Sequence, residues 1–121
     1  MRNWSKNALE WNLASEPDYA VHTDGGCTTC KGGITVTATN YTRNVGCYII
    51  AHASKLVVPG SKRIATNALT DLPSVAFLRP DGKIVLIVLN DGSTSKNFDI
   101  QSNNRKAPVS LDPGAAGTFL W

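Results

Sequence analysis

The second half of the chain alternates short apolar runs with turn residues. From residue 62 onward the runs are "KRIATNAL", "SVAFLRP", "KIVLIVLN", "KNFDIQ", "APVSL" and "AGTFLW", and Gly, Pro, Asn and Asp separate them. Strands at this spacing, roughly every 8 to 12 residues, are typical of an antiparallel sandwich or barrel. The turn chemistry of "RPDGK" predicts that residues 74–80 and 83–90 pair as a hairpin.

The first half carries two different periodicities. Residues 32–39 ("GGITVTAT") alternate apolar residues with Thr, which predicts a half-buried strand. The next apolar positions are spaced as on one face of a helix: Val45, Tyr48, Ile49, His52 and Leu56. We favour a helix here, with Asn44 as its N-cap and Pro59 just beyond its end. Gly46 and the β-branched residues keep a strand as the alternative.

These elements predict a mainly β fold. It is an antiparallel β-sandwich of the immunoglobulin-like, Greek-key kind, with one short helix in the N-terminal half. Residues 7–14 fit either a strand or a helix. The chain has 121 residues, and a chain of this size buries about two-thirds of its unfolded surface, so its folding requires neither a disulfide nor a metal ion.

Charge and hydropathy argue against two classes of partner. Lys and Arg outnumber Asp and Glu by 12 to 9, but the basic residues are scattered and no recognition motif accompanies them, so we expect no nucleic-acid binding. The longest apolar run, "IVLIVL", is far shorter than the roughly 20 residues that cross a bilayer, so we expect no membrane span. The start of the chain, "MRNWSKNALEW", has no apolar core of an export signal, so we expect no signal peptide in it.

The cysteines leave several chemistries open. Cys27 and Cys30 stand in a C-x-x-C spacing within "GGCTTCKGG". A redox-active pair is usual where a strand runs into a helix, whereas glycines flank this pair. A zinc site would recruit His22 or the distant Cys47 and His52, and the last two are placed on different faces of a helix. A short disulfide and two inert thiols are the remaining alternatives, and we expect neither a metal ion nor a cofactor.

Carboxylates and tryptophans are the other candidate groups. Glu10 and Glu16 belong to an acidic N-terminal stretch, and carboxylate pairs cleave glycosidic bonds when they flank a cleft, but loop carboxylates on a small domain are usually solvated. Trp4, Trp11 and Trp121 are candidates for stacking on sugar rings, while packing is the usual role of aromatic side chains. For Trp121, at the end of an alternating strand, we expect packing.

Several segments together resemble one family. They are "EWNLASEP", "GGCTTCKGGITV", "RNVGCYIIAHASKLVVPGSKRIATN", "VAFLRPDGKIVLIVLN" and "LDPGAAGTFLW". In these motifs the chain resembles the C-terminal region of glycoside hydrolase family 30, which includes glucosylceramidases and β-1,6-glucanases. The resemblance implies that residues 1–60 are a remnant of the C-terminal end of a (β/α)8 barrel, comprising a strand, the Cys loop, a strand and a helix. Residues 61–121 would then be the β-sandwich domain.

The resemblance also implies where the chemistry lies. The family's enzymes are retaining, with an acid/base Glu and a nucleophile Glu on barrel strands four and seven, which would precede Met1. We therefore expect no catalytic residue in this chain. The segment "LEWNL" resembles the last barrel strand, so Trp11 and Asn12 are expected to line the sugar pocket, and His22 matches a turn near it.

We therefore expect a non-catalytic accessory segment that braces the catalytic barrel, in the same or another chain, and contacts β-glucan or another glycan. The alternative is a stand-alone carbohydrate-binding module, and a small metal or redox protein is the third hypothesis. The resemblance implies a secreted or periplasmic location, in which Cys27 and Cys30 would form a disulfide clip. Because unpaired strand edges recruit other strands, self-association is also expected.

Overall fold

The structure, a computed structural model, describes residues 5–67 and 69–121. The chain divides into two compact units, the first ending at Lys55 and the second beginning at Leu56. The elements are β1 (Ala14–Ser15), β2 (Ile34–Val36), β3 (Tyr41–Arg43), α1 (Val45–Ser54), β4 (Lys62–Ile64), β5 (Ser74–Leu78), β6 (Ile84–Leu89), β7 (Lys96–Ser102), β8 (Arg105–Leu111) and β9 (Ala116–Leu120). The predicted fold class, mainly antiparallel β with a short helix in the N-terminal half, is confirmed.

The second unit contains two antiparallel sheets. Four strands pair in the order β4-β5-β6-β9, and β7 pairs with β8 in a separate hairpin. Along β7 half-buried and exposed residues alternate, as expected for a strand with one face towards a core. Among the described residues, the buried hydrophobic side chains all belong to this unit: Leu72, Ala76, Phe77, Val85 and Val88.

The hairpin predicted from "RPDGK" is confirmed. β5 and β6 pair antiparallel, with Leu78 opposite Ile84. Gly82 has φ of 82°, a conformation that glycine adopts without steric cost. Arg79 N–H donates to Lys83 O at 2.8 Å, and Gly82 N–H donates to Arg79 O at 3.0 Å. Local turn chemistry therefore determines the register of the two central strands.

The first unit has a small sheet of three short strands. β1 pairs with β2 in parallel, and β2 pairs with β3 antiparallel. The strand predicted over residues 32–39 is limited to Ile34–Val36, and within residues 7–14 regular pairing begins only at Ala14. Within the described residues β1 pairs with β2 alone, at one edge of this sheet.

The helix predicted after Asn44 is confirmed as Val45–Ser54. The apolar positions of the predicted stripe are exposed: Val45, Tyr48 and Ile49 are 73%, 57% and 61% exposed. No residue of the helix is buried, so none of the described residues of this unit covers the apolar stripe fully. In the described part of the chain, no helix is both long and apolar enough to cross a membrane.

Asn44 occupies the N-cap position of α1, as predicted, but its side chain makes no capping hydrogen bond. The amide reaches back to the chain before β2 instead. Sequence pattern alone identifies the start of the helix and not this longer-range use of the side chain, because the partners lie 9 and 12 residues earlier.

Candidate functional site

Trp11 stands on an exposed segment whose backbone is held by the start of β2. Its side chain is 73% exposed. Beyond it, Gly33 N–H donates to Asn12 O at 2.8 Å and Ile34 N–H donates to Leu13 O at 3.0 Å. The peptide bond between Trp11 and Asn12 is cis. An exposed indole on a backbone fixed in this way can stack against a flat apolar ligand face.

Asn12 lies against a glycine that has no room for a side chain. A Cβ on Gly32 would lie 2.5 Å from Asn12 Oδ1 and 2.8 Å from the Ala14 backbone, so a larger residue does not fit. Gly32 N–H donates to Ser15 Oγ at 3.1 Å. Within the described residues Asn12 Oδ1 is buried without a hydrogen-bond partner, which leaves Nδ2 as the polar atom of this side chain that can reach a ligand.

Asn44 joins the start of α1 to the same glycine pair. Its Nδ2 donates to Gly32 O at 2.8 Å and to Thr35 Oγ1 at 2.9 Å. Its backbone N–H donates to Gly33 O at 2.9 Å. Asn12, the glycine pair and the first residue before the helix therefore belong to one hydrogen-bonded network.

Sequence analysis missed Ser15, Gly32 and Asn44 as supports of Asn12. The available signal was the pair Gly32-Gly33 at the edge of a strand, because glycine within a strand marks a close approach of two backbones. The sequence around Ser15 did not indicate its role, because its hydrogen-bond partner is 17 positions away and local periodicity reports only near neighbours.

The loop before this glycine pair carries a disulfide. Cys27 and Cys30 are bonded, with their Cα atoms 5.6 Å apart, and Cys27 is exposed. Cys47 is a free, half-buried thiol. In the part of the chain that the structure describes, no group of three or more His, Cys, Asp or Glu side chains is arranged to hold a metal ion.

His22 lies in the exposed loop before the disulfide. Its Nδ1 is 3.0 Å from Thr23 O. A carbonyl oxygen only accepts, so Nδ1–H is the donor in this hydrogen bond, and in the neutral imidazole with that tautomer Nε2 is an acceptor. Among the described residues no hydrogen bond joins His22 to Asn12, and the two are ten positions apart in the chain. Their meeting at one sugar pocket stays a prediction.

Glu16 and Asp18 form a carboxyl pair at an open cavity of about 770 Å³ beside β1. Desolvation raises the pKa of Glu16, and a hydrogen bond and the charge of Asp18 raise it further, against a smaller lowering by a backbone hydrogen bond at Val21. Glu16 therefore holds its proton to a higher pH than an isolated glutamate does.

An apolar cleft of about 830 Å³ opens between β8 and β9 of the second unit. Residues that line it include Ile100, Arg105, Val109, Phe119 and Trp121. Trp121 extends the ladder of β6, since Ile84 N–H donates to Trp121 O at 2.9 Å and Trp121 N–H donates to Ile84 O at 3.2 Å. Its side chain remains 42% exposed. Trp4, the other candidate for sugar stacking, lies outside the described residues.

Comparison with known proteins shows which family the chain resembles. The model of the family described as "Glycosyl hydrolase family 30 beta sandwich domain" matches residues 60–119. The chain is 31% identical over 97 residues to the endo-1,6-beta-D-glucanase neg1 of Aspergillus fumigatus, covering 74% of this chain and 20% of that protein. It is 39% identical over 77 residues to the lysosomal acid glucosylceramidase of Mus musculus, covering 61% of this chain and 15% of that protein.

A solved structure extends the likeness to nearly the whole chain. The endo-beta1,6-glucanase BT3312 superposes with a TM-score of 0.83 at 31% sequence identity, covering 97% of this chain and 27% of that one. The chain thus spans between about a seventh and about a quarter of the length of these relatives.

Proposed function

Residues 60–119 belong to the glycosyl hydrolase family 30 β-sandwich domain, and on this premise we propose that the chain is a non-catalytic accessory segment of a retaining β-glycosidase of the glucosylceramidase and glucanase kind. Its role is to brace a catalytic (β/α)8 barrel, in the same chain or another, and to contribute contacts to glycan. The observation that carries this proposal is the exposed apolar surface of the first unit.

This apolar surface consists of two rows of side chains that are each more than half exposed. One row lies on alternate residues before β1 and the other on one face of α1: Leu9, Trp11, Leu13, Val45, Tyr48 and Ile49. The buried hydrophobic side chains of the described chain lie in the second unit. Large exposed apolar patches mark interaction sites, so the first unit depends on a partner to cover this surface, and the Trp11 indole is left to the glycan that the partner binds.

A (β/α)8 barrel fits both rows. Alternate apolar residues suit a strand with one face on an apolar core, and a helix with one apolar face suits the outer layer that packs on the barrel sheet. The relatives extend well beyond the region that this chain matches. We infer that the barrel supplies the neighbours that α1 and the Trp11 segment lack here.

The catalytic carboxyl groups belong to the barrel in this proposal. A retaining glycosidase needs two carboxyl groups about 5 Å apart across the sugar, and neither Glu10 nor Glu16 is assigned to that pair. This chain would contribute the Trp11 indole as a stacking surface, Asn12 Nδ2 as a donor and His22 Nε2 as an acceptor for sugar hydroxyls.

We propose a secreted or periplasmic location. A disulfide persists in an oxidising compartment and is rare in the cytosol, and Cys27 is bonded to Cys30. The mouse relative is named as a lysosomal protein, which agrees with passage through such a compartment.

The test is to graft the chain onto a barrel. In the endo-beta1,6-glucanase BT3312, the chain replaces the region that it matches, and hydrolysis of β-1,6-glucan is measured. We expect an active graft, and Ile49→Asp to reduce its soluble yield and activity at least tenfold because a charge is buried at the barrel interface. Ser54→Asp, on an exposed position of the same helix, is the matched control and should match the unsubstituted graft.

Two results would contradict the proposal. One is an Ile49→Asp graft that equals its Ser54→Asp control in yield and activity. The other is hydrolysis of aryl β-glucosides by the isolated chain that Glu10→Gln abolishes, since the chain would then contain catalytic machinery of its own.

The exposure of Trp11 supports a second candidate, a stand-alone carbohydrate-binding module. A ring that is 73% exposed is available to sugar without a barrel. This candidate predicts saturable binding of β-1,3-, β-1,4- or β-1,6-glucan by the isolated chain, followed by tryptophan fluorescence and lost in Trp11→Ala. Flat titrations with all three glucans would remove it.

A further inference from the structure

The Asn44 side chain donates both of its amide protons to the start of β2 and the residues just before it. Nδ2 donates to Gly32 O at 2.8 Å and to Thr35 Oγ1 at 2.9 Å. An asparagine at an N-cap ordinarily accepts a hydrogen bond from the first turn of its helix, and no such bond is formed here. The side chain therefore acts on the Gly32–Thr35 segment and not on α1.

That segment in turn holds Asn12. Gly33 N–H donates to Asn12 O at 2.8 Å, and Gly32 N–H donates to Ser15 Oγ at 3.1 Å. The missing Cβ of Gly32 leaves the space that Asn12 Oδ1 occupies. Both the backbone and the side-chain oxygen of Asn12 are thus located by residues that Asn44 fixes.

We propose that Asn44 and Gly32 are positioning residues for Asn12, and that they set its amide with Nδ2 towards the sugar and Oδ1 towards Gly32. Asn12 then recognises a sugar oxygen as a hydrogen-bond donor. This inference rests on the proposed function, because it assumes that Asn12 faces a glycan. It adds which atom of Asn12 makes the contact and which residues fix its orientation.

The chemistry selects a neutral sugar group at this position. A carboxamide whose oxygen is buried can only donate, so it matches a hydroxyl or ring oxygen that accepts. A substituent that only donates would leave both Nδ2 protons without partners, which costs affinity.

The key variant is Asn44→Ser in the complete 121-residue chain. Serine is as good an N-cap as asparagine, so α1 keeps its start, but it is too short to reach Gly32 O and Thr35 Oγ1. We expect the side-chain NH₂ signals of Asn12 in ¹⁵N NMR spectra to shift and the Gly33 amide to exchange faster. Circular dichroism of the helix should remain unchanged. Thr35→Val removes one of the two acceptors and should give part of the effect. Thr35→Ser keeps the hydroxyl and should behave like the parent chain.

The sugar readout is titration with a β-1,6-linked glucose oligosaccharide, followed at the Trp11 and Asn12 signals. Loss of one positioned hydrogen bond predicts binding about five- to tenfold weaker in Asn44→Ser. Gly32→Ala should weaken binding at least as much, because its Cβ displaces Asn12 Oδ1.

The outcomes separate this inference from the function beneath it. Binding that Trp11→Ala abolishes and Asn44→Ser leaves intact, with unshifted Asn12 signals, overturns the positioning role alone. If no saccharide moves the Trp11 or Asn12 signals of the isolated chain, the comparison is made in the BT3312 graft: a KM for β-1,6-glucan that Asn44→Ser leaves unchanged overturns the inference, and one that Trp11→Ala also leaves unchanged removes the sugar contact itself. Loss of helical signal in Asn44→Ser to the same degree as loss of binding would show a merely structural role and also overturn the inference.

Discussion

The side-chain amide of Asn90 donates a hydrogen bond to the carbonyl oxygen of Leu111, 2.9 Å away and 21 residues later in the chain. The same Nδ2 donates to Thr94 O at 2.8 Å, and Oδ1 accepts from Gly92 N–H at 3.0 Å. Asn90 is fully buried. One buried amide therefore closes the loop after β6 and fastens it to the end of β8.

Asn90→Asp should destabilise the chain strongly. The substitution keeps the shape of the side chain but replaces a donor to two carbonyl oxygens by a carboxylate oxygen that repels them. We expect the free energy of unfolding at pH 7 to fall by about 2 to 4 kcal/mol, measured by urea denaturation and circular dichroism. Asn97→Asp, on an exposed position of β7, is the control and should change it by less than about 0.5 kcal/mol. Equal losses in the two variants would contradict the structural role of Asn90.

The burial of Asn90 could not be predicted from local sequence pattern. The sequence places Asn90 at the end of the run "KIVLIVLN", beside the turn signal "NDGS", yet among the described residues of the second unit it is a fully buried polar residue. The hairpin of β5 and β6 was predictable because the residues that determine it, from Arg79 to Lys83, are neighbours in the chain. The partners of Asn90 lie in the loop after β6 and at the end of β8, and no local periodicity records them.

The helix illustrates the same limit for apolar residues. The spacing of Val45, Tyr48 and Ile49 predicted α1 correctly, because periodicity reports a shared face. It did not report whether that face is covered within this chain, and here it is exposed. For Asn44, position predicted the N-cap, whereas the actual acceptors, Gly32 O and Thr35 Oγ1, depend on how β2 folds back.

Asp81 should give the β5–β6 turn a defined acid dependence. Desolvation opposes ionisation, but hydrogen bonds from Lys83 N–H and Arg79, with the charges of both residues, hold the pKa of Asp81 below its ordinary value of 3.8. A lowered pKa means that the carboxylate's contribution is present above 3.8 and is lost as the pH falls through the folded-state pKa.

The Lys83 amide, which donates to Asp81 Oδ1 at 3.2 Å, reports this directly. Its ¹H chemical shift should titrate with a midpoint below 3.8, and Asp81→Asn should abolish that titration. Asp91→Asn is the control and should preserve it. A midpoint at or above the ordinary value would show that the Arg79 and Lys83 contacts do not form in solution.

Glu16 should respond to the charge of Asp18. The raised pKa of Glu16 comes from desolvation and then from the hydrogen bond and charge of Asp18. Any stability linked to the protonated form is complete below the ordinary value of 4.5 and is lost as the pH rises through the folded-state pKa. Asp18→Asn should lower the pKa of Glu16 without returning it fully to 4.5, because desolvation remains.

Carboxyl ¹³C NMR titration measures this shift residue by residue. Asp24→Asn, in the loop that follows, should leave the Glu16 midpoint where it is. If Asp18→Asn also leaves it unchanged, the two carboxyl groups are not neighbours in solution, and the cavity beside β1 has a different lining.

The Cys27–Cys30 bond predicts a thiol count that depends on only three residues. Under denaturing, non-reducing conditions the oxidised chain should react with one equivalent of a thiol reagent, at Cys47, and Cys47→Ser should react with none. Three equivalents in the unsubstituted chain would mean that the disulfide is absent from the isolated protein.

Closing so short a loop stabilises a fold by only about 2 kcal/mol in the chain-entropy model, so the double variant Cys27→Ser/Cys30→Ser should still fold. Because Gly32 is held independently by Ser15 and Asn44, that variant should also retain the Asn12 signals of the parent chain. A double variant that loses them would show that the disulfide, and not the Asn44 network, positions this segment.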